Sequence, residues 1–235
     1  MLRAALALGV LVFPLALGAC AGYVDTAAKD AEYCPRGPVP KFQITPVLSE
    51  PKIDTKLTLN DIAVLSHVEY NHLALGATEG KLLVLSVFSA HASPSPKGGV
   101  CVYPSDVELT VSVAGRVIHV AHEFVGTEPC VYGEILGHEK HHVSLDDQLL
   151  NQAAAELRAS LPARLVPLYG VWGVDEPNAR ASLKVKIVKQ VNAIQADIQA
   201  KRDAAHAEQV DTPEENVRLR EACNGRLEQL YPRYR

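Results

Sequence analysis

The sequence predicts an α+β fold in which a small mixed or antiparallel sheet packs on a helical hairpin. Residues 41–124 carry runs of Val, Leu, Ile and Thr that are typical of strands, whereas the chain after Gly126 has helical spacing to its end. Strand signals followed by helix signals favour an α+β domain over alternating βαβ units. A chain of 235 residues, 48% of them hydrophobic, is large enough to bury a core.

In the strand zone, the predicted strands cover residues 41–48, 56–59, 81–89, 107–113 and 116–120. The clearest of them reads Val-Glu-Leu-Thr-Val-Ser-Val, the alternation of a strand with one buried face. Ala114 and Gly115 have turn-forming character, so we expect a hairpin between the last two strands. Residues 92–99 are rich in Pro and Gly, which predicts a loop.

In the helical zone, long helices are predicted at residues 129–160 and 177–209, with Pro177 suited to a first helical turn. A third helix is predicted to start at Thr212, because Glu215 three residues later completes a capping-box pattern.

The N-terminus predicts export. Arg3 precedes an apolar run, residues 4–17, that is short for a membrane span. The run ends in Leu-Gly-Ala and Cys20, which resembles a bacterial lipobox whose cysteine becomes the lipid-modified first residue. We therefore expect a signal peptide at 1–19, a tether at 20–40 and one domain at 41–235.

The alternative to lipidation is an ordinary secretory signal cleaved after a small residue, such as Ala19 or Ala21. Ala21, in place of Asp, resembles the sorting of Gram-negative lipoproteins to the outer membrane. The expected location is therefore the outer membrane, facing the periplasm, with the lipid as the contact to the membrane.

The cysteines agree with an oxidising compartment. Setting Cys20 aside for lipid leaves an even number, which predicts two disulfides. Four cysteines allow three connectivities, and the sequence does not choose among them. We favour Cys101–Cys130, which would tie the strands to the start of the first long helix, and Cys34–Cys223, which would join the two ends of the domain.

The most informative motif is His138-Glu139-Lys140-His141-His142, an HExxH pattern inside the first long predicted helix. Histidines at i and i+4 lie on one helix face and can bind one metal ion, while the glutamate beside them can act as a base on water. Ile135, the two histidines and later apolar positions fall on a single stripe, so we expect the histidines to face inward. The alternative is an amphipathic helix with a surface histidine cluster.

The charge and composition of the chain argue against nucleic acid as a partner. The formal charge is −4 and the basic residues are dispersed, so nucleic acid is not an expected partner. The sequence contains no Gly-rich phosphate loop, and it has no internal repeat.

Residues 101–105, 117–123 and 136–143, together with Cys130, resemble a group of poorly characterised bacterial secreted proteins and lipoproteins classed as zinc metallopeptidases. The resemblance covers roughly residues 100–145, and its strands followed by an active-site helix are similar to the zincin arrangement. It implies a zinc ion bound by His138 and His142, with Glu139 as the catalytic base. The implied activity is hydrolysis of a peptide or protein substrate in the envelope. We expect an extended substrate to bind along the edge of the strand before the helix.

The third ligand is not given by the motif, since one straight helix places only two ligands comfortably on one ion. Candidates on the second helix and beyond it are Asp197, Asp203, His206, Glu208, Asp211 and Glu215. Families that place a ligand well downstream in a helical segment favour Glu208, while Asp211 and Glu215 are expected to cap the third helix.

The alternative functions are a non-catalytic metal-binding or assembly lipoprotein and a structural lipoprotein without metal.

Overall fold

The computed structural model describes residues 26–66, 74–165, 168 and 170–231; the predicted signal peptide and Cys20 lie outside them. Within these residues the α+β class is confirmed, with five strands in one mixed sheet and five α-helices. In chain order the elements are α1 (Thr26–Tyr33), β1 (Lys41–Val47), β2 (Lys52–Asp54), α2 (Leu59–Leu65), β3 (Gly76–Pro94), β4 (Val100–Val120), a 3-10 turn (His122–Phe124), α3 (Pro129–Leu165), β5 (Val171–Gly173), α4 (Glu176–Gln209) and α5 (Pro213–Leu230). Among the described helices, none is both long and apolar enough to cross a bilayer.

β4 is the central strand of the sheet. β3 runs antiparallel along one side of it, while β5, β1 and β2 pair with successive parts of its other side. Because β4 has partners on both sides, the strand that leads to the long helix does not offer the free edge that we expected. Within the described residues, β3 pairs only with β4, so the outer edge of the sheet at this side belongs to β3.

The hairpin predicted at Ala114 and Gly115 is wrong, because β4 continues through both residues. Gly115 has a φ of +66°, and the register with β3 shifts opposite Gly80, so the chain forms a β-bulge there. Because glycine at positive φ is common both in hairpin turns and in β-bulges, Gly115 alone could not distinguish a hairpin from a bulge. The real hairpin connection lies at residues 95–99, within the predicted loop.

The short strand predicted at residues 56–59 is also wrong, since α2 begins there. The Thr58 side chain accepts a hydrogen bond from the Asp61 amide, and the Asp61 carboxylate accepts one from the Thr58 amide. This reciprocal capping stops the chain from extending as a strand. The predicted strand at 41–48 is confirmed by β1.

α3 and α4 form the helical hairpin, close to the predicted bounds of both helices. Their apolar faces pack on the sheet in one main core with β3 and β4. A smaller core near the start of α3 contains Phe124, Val131, Ile135 and Leu227, so it joins the end of β4 to α5. The candidate site lies beside this smaller core.

The two disulfides are present, but the predicted pairing is wrong: Cys34 bonds Cys101, and Cys130 bonds Cys223. Cys101 lies at the start of β4, beside α1, whereas Cys130 lies at the other end of the sheet, in the first turn of α3. A Cys101–Cys130 bond would have to cross the length of β4.

Part of the expected tether at residues 20–40 is tied to the domain. Asp30 on α1 is buried, pairs with Lys186 and accepts a hydrogen bond from the Trp172 amide at 2.9 Å. Together with the disulfide at Cys34, these contacts fix α1 against β5 and α4.

Candidate metal centre

The HExxH residues lie in α3, but their faces differ from the predicted ones. The side of α3 that packs inward carries Val131, Ile135, Glu139 and Val143, and Glu139 itself is only 4% exposed. His138 and His142 flank this buried face, with side chains 11% and 13% exposed. The stripe is therefore rotated by about one residue, roughly 100°, which places the glutamate inside and the histidines at the border of a cleft.

Asp211 meets the two histidines at one point. The Nε2 atoms of His138 and His142 are 3.3 Å apart, and Oδ1 of Asp211 lies 3.6 Å from the first and 3.2 Å from the second. Of the residues that the structure describes, only these three form such a group of potential metal-ligating side chains. Zinc bound at about 2.05 Å by a tetrahedron of ligands requires ligand atoms about 3.3 Å apart. The triangle therefore fits three ligands of one ion.

Glu208, the predicted third ligand, is not in this group and is exposed near the end of α4. The reason is the turn that follows. The amides of Val210 and Asp211 both donate to the carbonyl of His206, so the chain folds back after α4 and carries Asp211 over the histidines. Thr212 caps α5 by accepting from the Glu215 amide at 3.1 Å, so the predicted cap at Thr212 is confirmed. The capping role expected of Asp211 and of the Glu215 side chain is wrong, because Asp211 contacts the two histidines and the Glu215 carboxylate contacts His138 and Arg218.

The electrostatics of the triangle are those of a charged carboxylate between two imidazoles. Burial alone would raise the pKa of Asp211, but hydrogen bonds and charge interactions with His138 and His142 outweigh it and hold that pKa well below its ordinary value. Burial would lower the pKa of His138, yet Asp211, Glu139 and Glu215 together raise it. The carboxylate and the two imidazoles together therefore favour a positive charge in the space between them.

His138 is supported from α5. Its Nδ1 lies 3.3 Å from Oε1 of Glu215, and Arg218 binds both oxygens of that carboxylate at 2.8 Å. Arg218 also donates to Glu134 on α3 at 2.6 Å. The hydrogen bond from Arg218 holds the pKa of Glu215 down at about 2, despite partial burial. A carboxylate on the second nitrogen of a metal-binding histidine orients its ring and strengthens its basicity.

His142 is supported from α4. Its Nδ1 lies 2.7 Å from Nδ1 of His206, whose Nε2 lies 2.8 Å from Oδ1 of Asp146. Arg202 completes the row with bonds of 2.6 and 3.1 Å to the Asp146 carboxylate, whose side chain is 1% exposed. Burial opposes the charge on Asp146, but its partners His206 and Arg202 outweigh it and lower its pKa.

Glu139 is held by the first residues of β3. The Thr78 hydroxyl lies 2.8 Å from Oε2 of Glu139 and 3.1 Å from its carbonyl oxygen. Burial raises the pKa of Glu139 above its ordinary value, against the opposing charges of the two histidines. A raised pKa moves a carboxylate toward the range in which it can exchange protons near neutral pH.

These residues line a cleft of about 970 Å³ between β3 and α5, with α3 as its floor. Near the triangle it is lined by Thr78, Glu139 and the three potential ligands. The lining also includes apolar side chains, among them Leu65, Leu75, Ile135, Leu219 and Leu227, and polar ones such as Asn216, Arg220 and Glu228. The cleft thus combines the three potential ligands and Glu139 with apolar surface.

The remaining sequence candidates lie elsewhere or act indirectly. Asp197 pairs with Lys201, and Asp203 accepts from Gln199, both on exposed surfaces of α4. His141 is exposed and is not part of the group. The supporting roles of Asp146 and Arg202 were not predicted from the sequence.

Comparison of the chain with sequence models of protein families, with curated proteins and with solved structures finds no match.

Proposed function

We propose that this protein is a zinc-dependent hydrolase that cleaves peptide bonds. The observation that carries the proposal is the triangle of His138, His142 and Asp211, whose edges of 3.2–3.6 Å match those of a tetrahedral zinc site. Three protein ligands leave one tetrahedral position open for water or substrate, which is the arrangement of catalytic rather than structural zinc.

Glu139 is the residue that moves the proton. Zinc, when bound, supplies the Lewis acidity that makes a water at the open position acidic near neutral pH. Glu139 accepts the proton of the attacking water and later delivers it to the leaving amine. Thr78 orients the carboxylate for both transfers through its hydrogen bond to Oε2.

An extended peptide is the substrate that this cleft favours. The outer edge of β3 at residues 76–79 borders the cleft, where its backbone groups can pair with a peptide added as a further strand. Farther along, the Gln195 side chain on α4 accepts from the Val84 amide and covers the edge. The peptide would therefore be restricted to the part of β3 beside Glu139.

We also propose that Cys20 anchors the protein by lipid in the bacterial envelope, in the outer membrane facing the periplasm. The support is the lipobox pattern, together with two disulfides that suit an oxidising compartment. The peptide or protein substrates would then be envelope components.

Metal analysis of protein purified without a nickel column tests the centre. We expect about one zinc per chain, and His138→Ala, His142→Ala and Asp211→Ala should each weaken zinc affinity by more than about 100-fold, because each loses one of three ligands. Glu208→Ala is the matched control on the neighbouring helix and should bind zinc normally.

Glu139→Gln separates catalysis from binding. The variant should keep its zinc while peptidase activity, measured on a mixture of unfolded proteins by mass spectrometry of the products, falls by about 10²–10⁴-fold. A wild-type protein that binds no zinc would overturn the proposed centre. Zinc binding without cleavage of any peptide would instead favour a non-catalytic metal-binding lipoprotein.

A further inference from the structure

A row of polar contacts extends from His142 into the interface between α3 and α4. It runs from Nδ1 of His142 to His206 at 2.7 Å, from His206 to Asp146 at 2.8 Å, and from Asp146 to Arg202 at 2.6 Å. The side chains of His206 and Arg202 are 13% and 15% exposed, and that of Asp146 is 1% exposed. The row therefore lies largely out of solvent, on the side of His142 opposite to the ligand triangle.

The contact between His142 and His206 is a hydrogen bond rather than a second place for the ion. Two nitrogens that share a tetrahedral zinc lie about 3.3 Å apart, whereas these two are 2.7 Å apart. That separation is within the range of a hydrogen bond from a ring N–H. One ring must therefore donate and the other accept.

Zinc bound in the triangle would fix the direction of donation. The Nε2 atom of His142 faces His138 and Asp211, so its lone pair must be free for the ion and its proton must sit on Nδ1. Nδ1–H then donates to Nδ1 of His206, which must be unprotonated. The proton of neutral His206 therefore sits on Nε2 and donates to the Asp146 carboxylate. Every donor in the row has one acceptor.

We propose that His206 is a positioning residue that holds His142 in the tautomer needed for binding zinc, with Asp146 and Arg202 fixing His206 in turn. This inference rests on the proposed zinc centre and extends it to α4, a helix that supplies no ligand. Residues that orient a metal-binding histidine typically contribute 10–100-fold to metal affinity. Here that contribution comes through a second histidine rather than directly from a carboxylate.

Three variants test the inference through zinc affinity, measured by competition with a chromogenic chelator. His206→Leu removes the acceptor and should weaken binding by about 10–100-fold. His206→Gln supplies an amide oxygen that accepts and an amide NH₂ that donates, so it should restore affinity to within about threefold of the wild type. His141→Leu, an exposed histidine on the same turn as His142, is the matched control and should change nothing.

Nitrogen-15 NMR of the zinc-loaded wild type gives a readout that a merely structural role would not produce. We expect His206 to carry its proton on Nε2 with an unprotonated Nδ1; a proton on Nδ1 would overturn the inference. Unchanged zinc affinity in His206→Leu, or an equal loss in His206→Leu and His206→Gln, would overturn it while leaving the zinc centre in place. A wild-type protein that binds no zinc would overturn the centre and the inference together.

Discussion

Glu215 on α5 connects the candidate ligand His138 on α3 with Arg218, and its charge is essential to that connection. It accepts from Arg218 and contacts His138, while the same arginine bonds Glu134. Since the pKa of Glu215 falls from its ordinary value of 4.5 to about 2 in the folded protein, the folded state favours the ionised form. The contribution to stability is thus complete above pH 4.5 and lost as the pH falls through about 2.

The variant Glu215→Gln tests this pH dependence in metal-free protein. Its free energy of unfolding should lie below that of the wild type near pH 6, and the difference should shrink as the pH is lowered from about 4.5 toward 2. Urea unfolding at several pH values measures the difference. A difference that stays constant over this range would show that the charge of Glu215 does not stabilise the fold.

Single residues of the site could be predicted from the sequence only where a local pattern holds them. His138, Glu139 and His142 are placed by helix periodicity, which a sequence displays directly. Asp211 was a candidate, but a tight turn after α4 decides that it, rather than Glu208, reaches the histidines. Val210 in that turn is buried against Leu145 on α3, which is a tertiary contact that no local spacing encodes.

At the scale of elements, Gly76 sets how closely β3 approaches α3. A Cβ atom at this position would stand 2.8 Å from Oε1 of Glu139 and from Ile135, and 2.9 Å from the carbonyl oxygen of His119. The last of these atoms belongs to the backbone of β4 and cannot rotate away. The glycine therefore allows the strand to lie against the buried glutamate.

Gly76→Ala should lower the free energy of unfolding by about 1–3 kcal/mol, because the added methyl forces β3 away from α3. Gly133→Ala on α3 is the control: nothing lies within 4 Å of its added Cβ, and alanine should stabilise the helix by roughly 0.5–1 kcal/mol. Urea unfolding of the two variants compares them. Equal effects of both substitutions would contradict the close approach.

The two disulfides should differ in how readily they are reduced. Cys34 and Cys101 are buried, at 6% and 0% exposed, whereas Cys130 is exposed and Cys223 is half-buried. Cys223 also has a φ of +56°, a conformation that costs energy for a residue other than glycine. Exposure and backbone strain both make a disulfide more labile.

Mild treatment with dithiothreitol should therefore reduce Cys130–Cys223 before Cys34–Cys101. Differential alkylation followed by mass spectrometry of the peptides over time measures both bonds in one sample, so each serves as the control for the other. Simultaneous reduction, or the opposite order, would contradict the prediction.

Helices could be predicted from the sequence where the spacing of apolar residues repeats over many turns. α3 and α4 extend over many turns, and their bounds were close to the predicted ones. The strands were harder, because Gly115 marks a bulge inside β4 rather than a hairpin, and Thr58 starts a helix. The predicted disulfide pairing was wrong for a related reason, because the pairing depends on which end of β4 lies near α1 and which lies near α5.

At the scale of the whole molecule, the proposed lipid anchor should be separable from the folded domain. If Cys20 is the lipid-modified residue, Cys20→Ser should abolish acylation and membrane retention while the unfolding curve of the domain stays the same. Mass spectrometry of the N-terminal peptide and membrane fractionation measure the two effects. An unacylated N-terminus in the wild type would refute the anchor.

The α+β class followed from the order of strand and helix signals along the chain, and most of this order survives in the structure, although α2 interrupts the strand zone and β5 lies between α3 and α4. What the order did not reveal is that β4 is central and β3 lies at the edge. Strand order depends on contacts between distant segments, and alternation within one strand carries no information about its neighbours.

The position of Asp211 between α4 and α5 has a consequence for how the protein acquires a metal ion during synthesis and folding. A growing chain exposes His138 and His142 long before Asp211 is synthesised, and two imidazoles alone hold zinc poorly. Loading of an ion at the proposed centre would then wait until Asp211 has been synthesised and the turn after α4 has formed. The metal supply of the compartment where folding finishes, rather than intrinsic affinity alone, would decide which ion the finished protein carries.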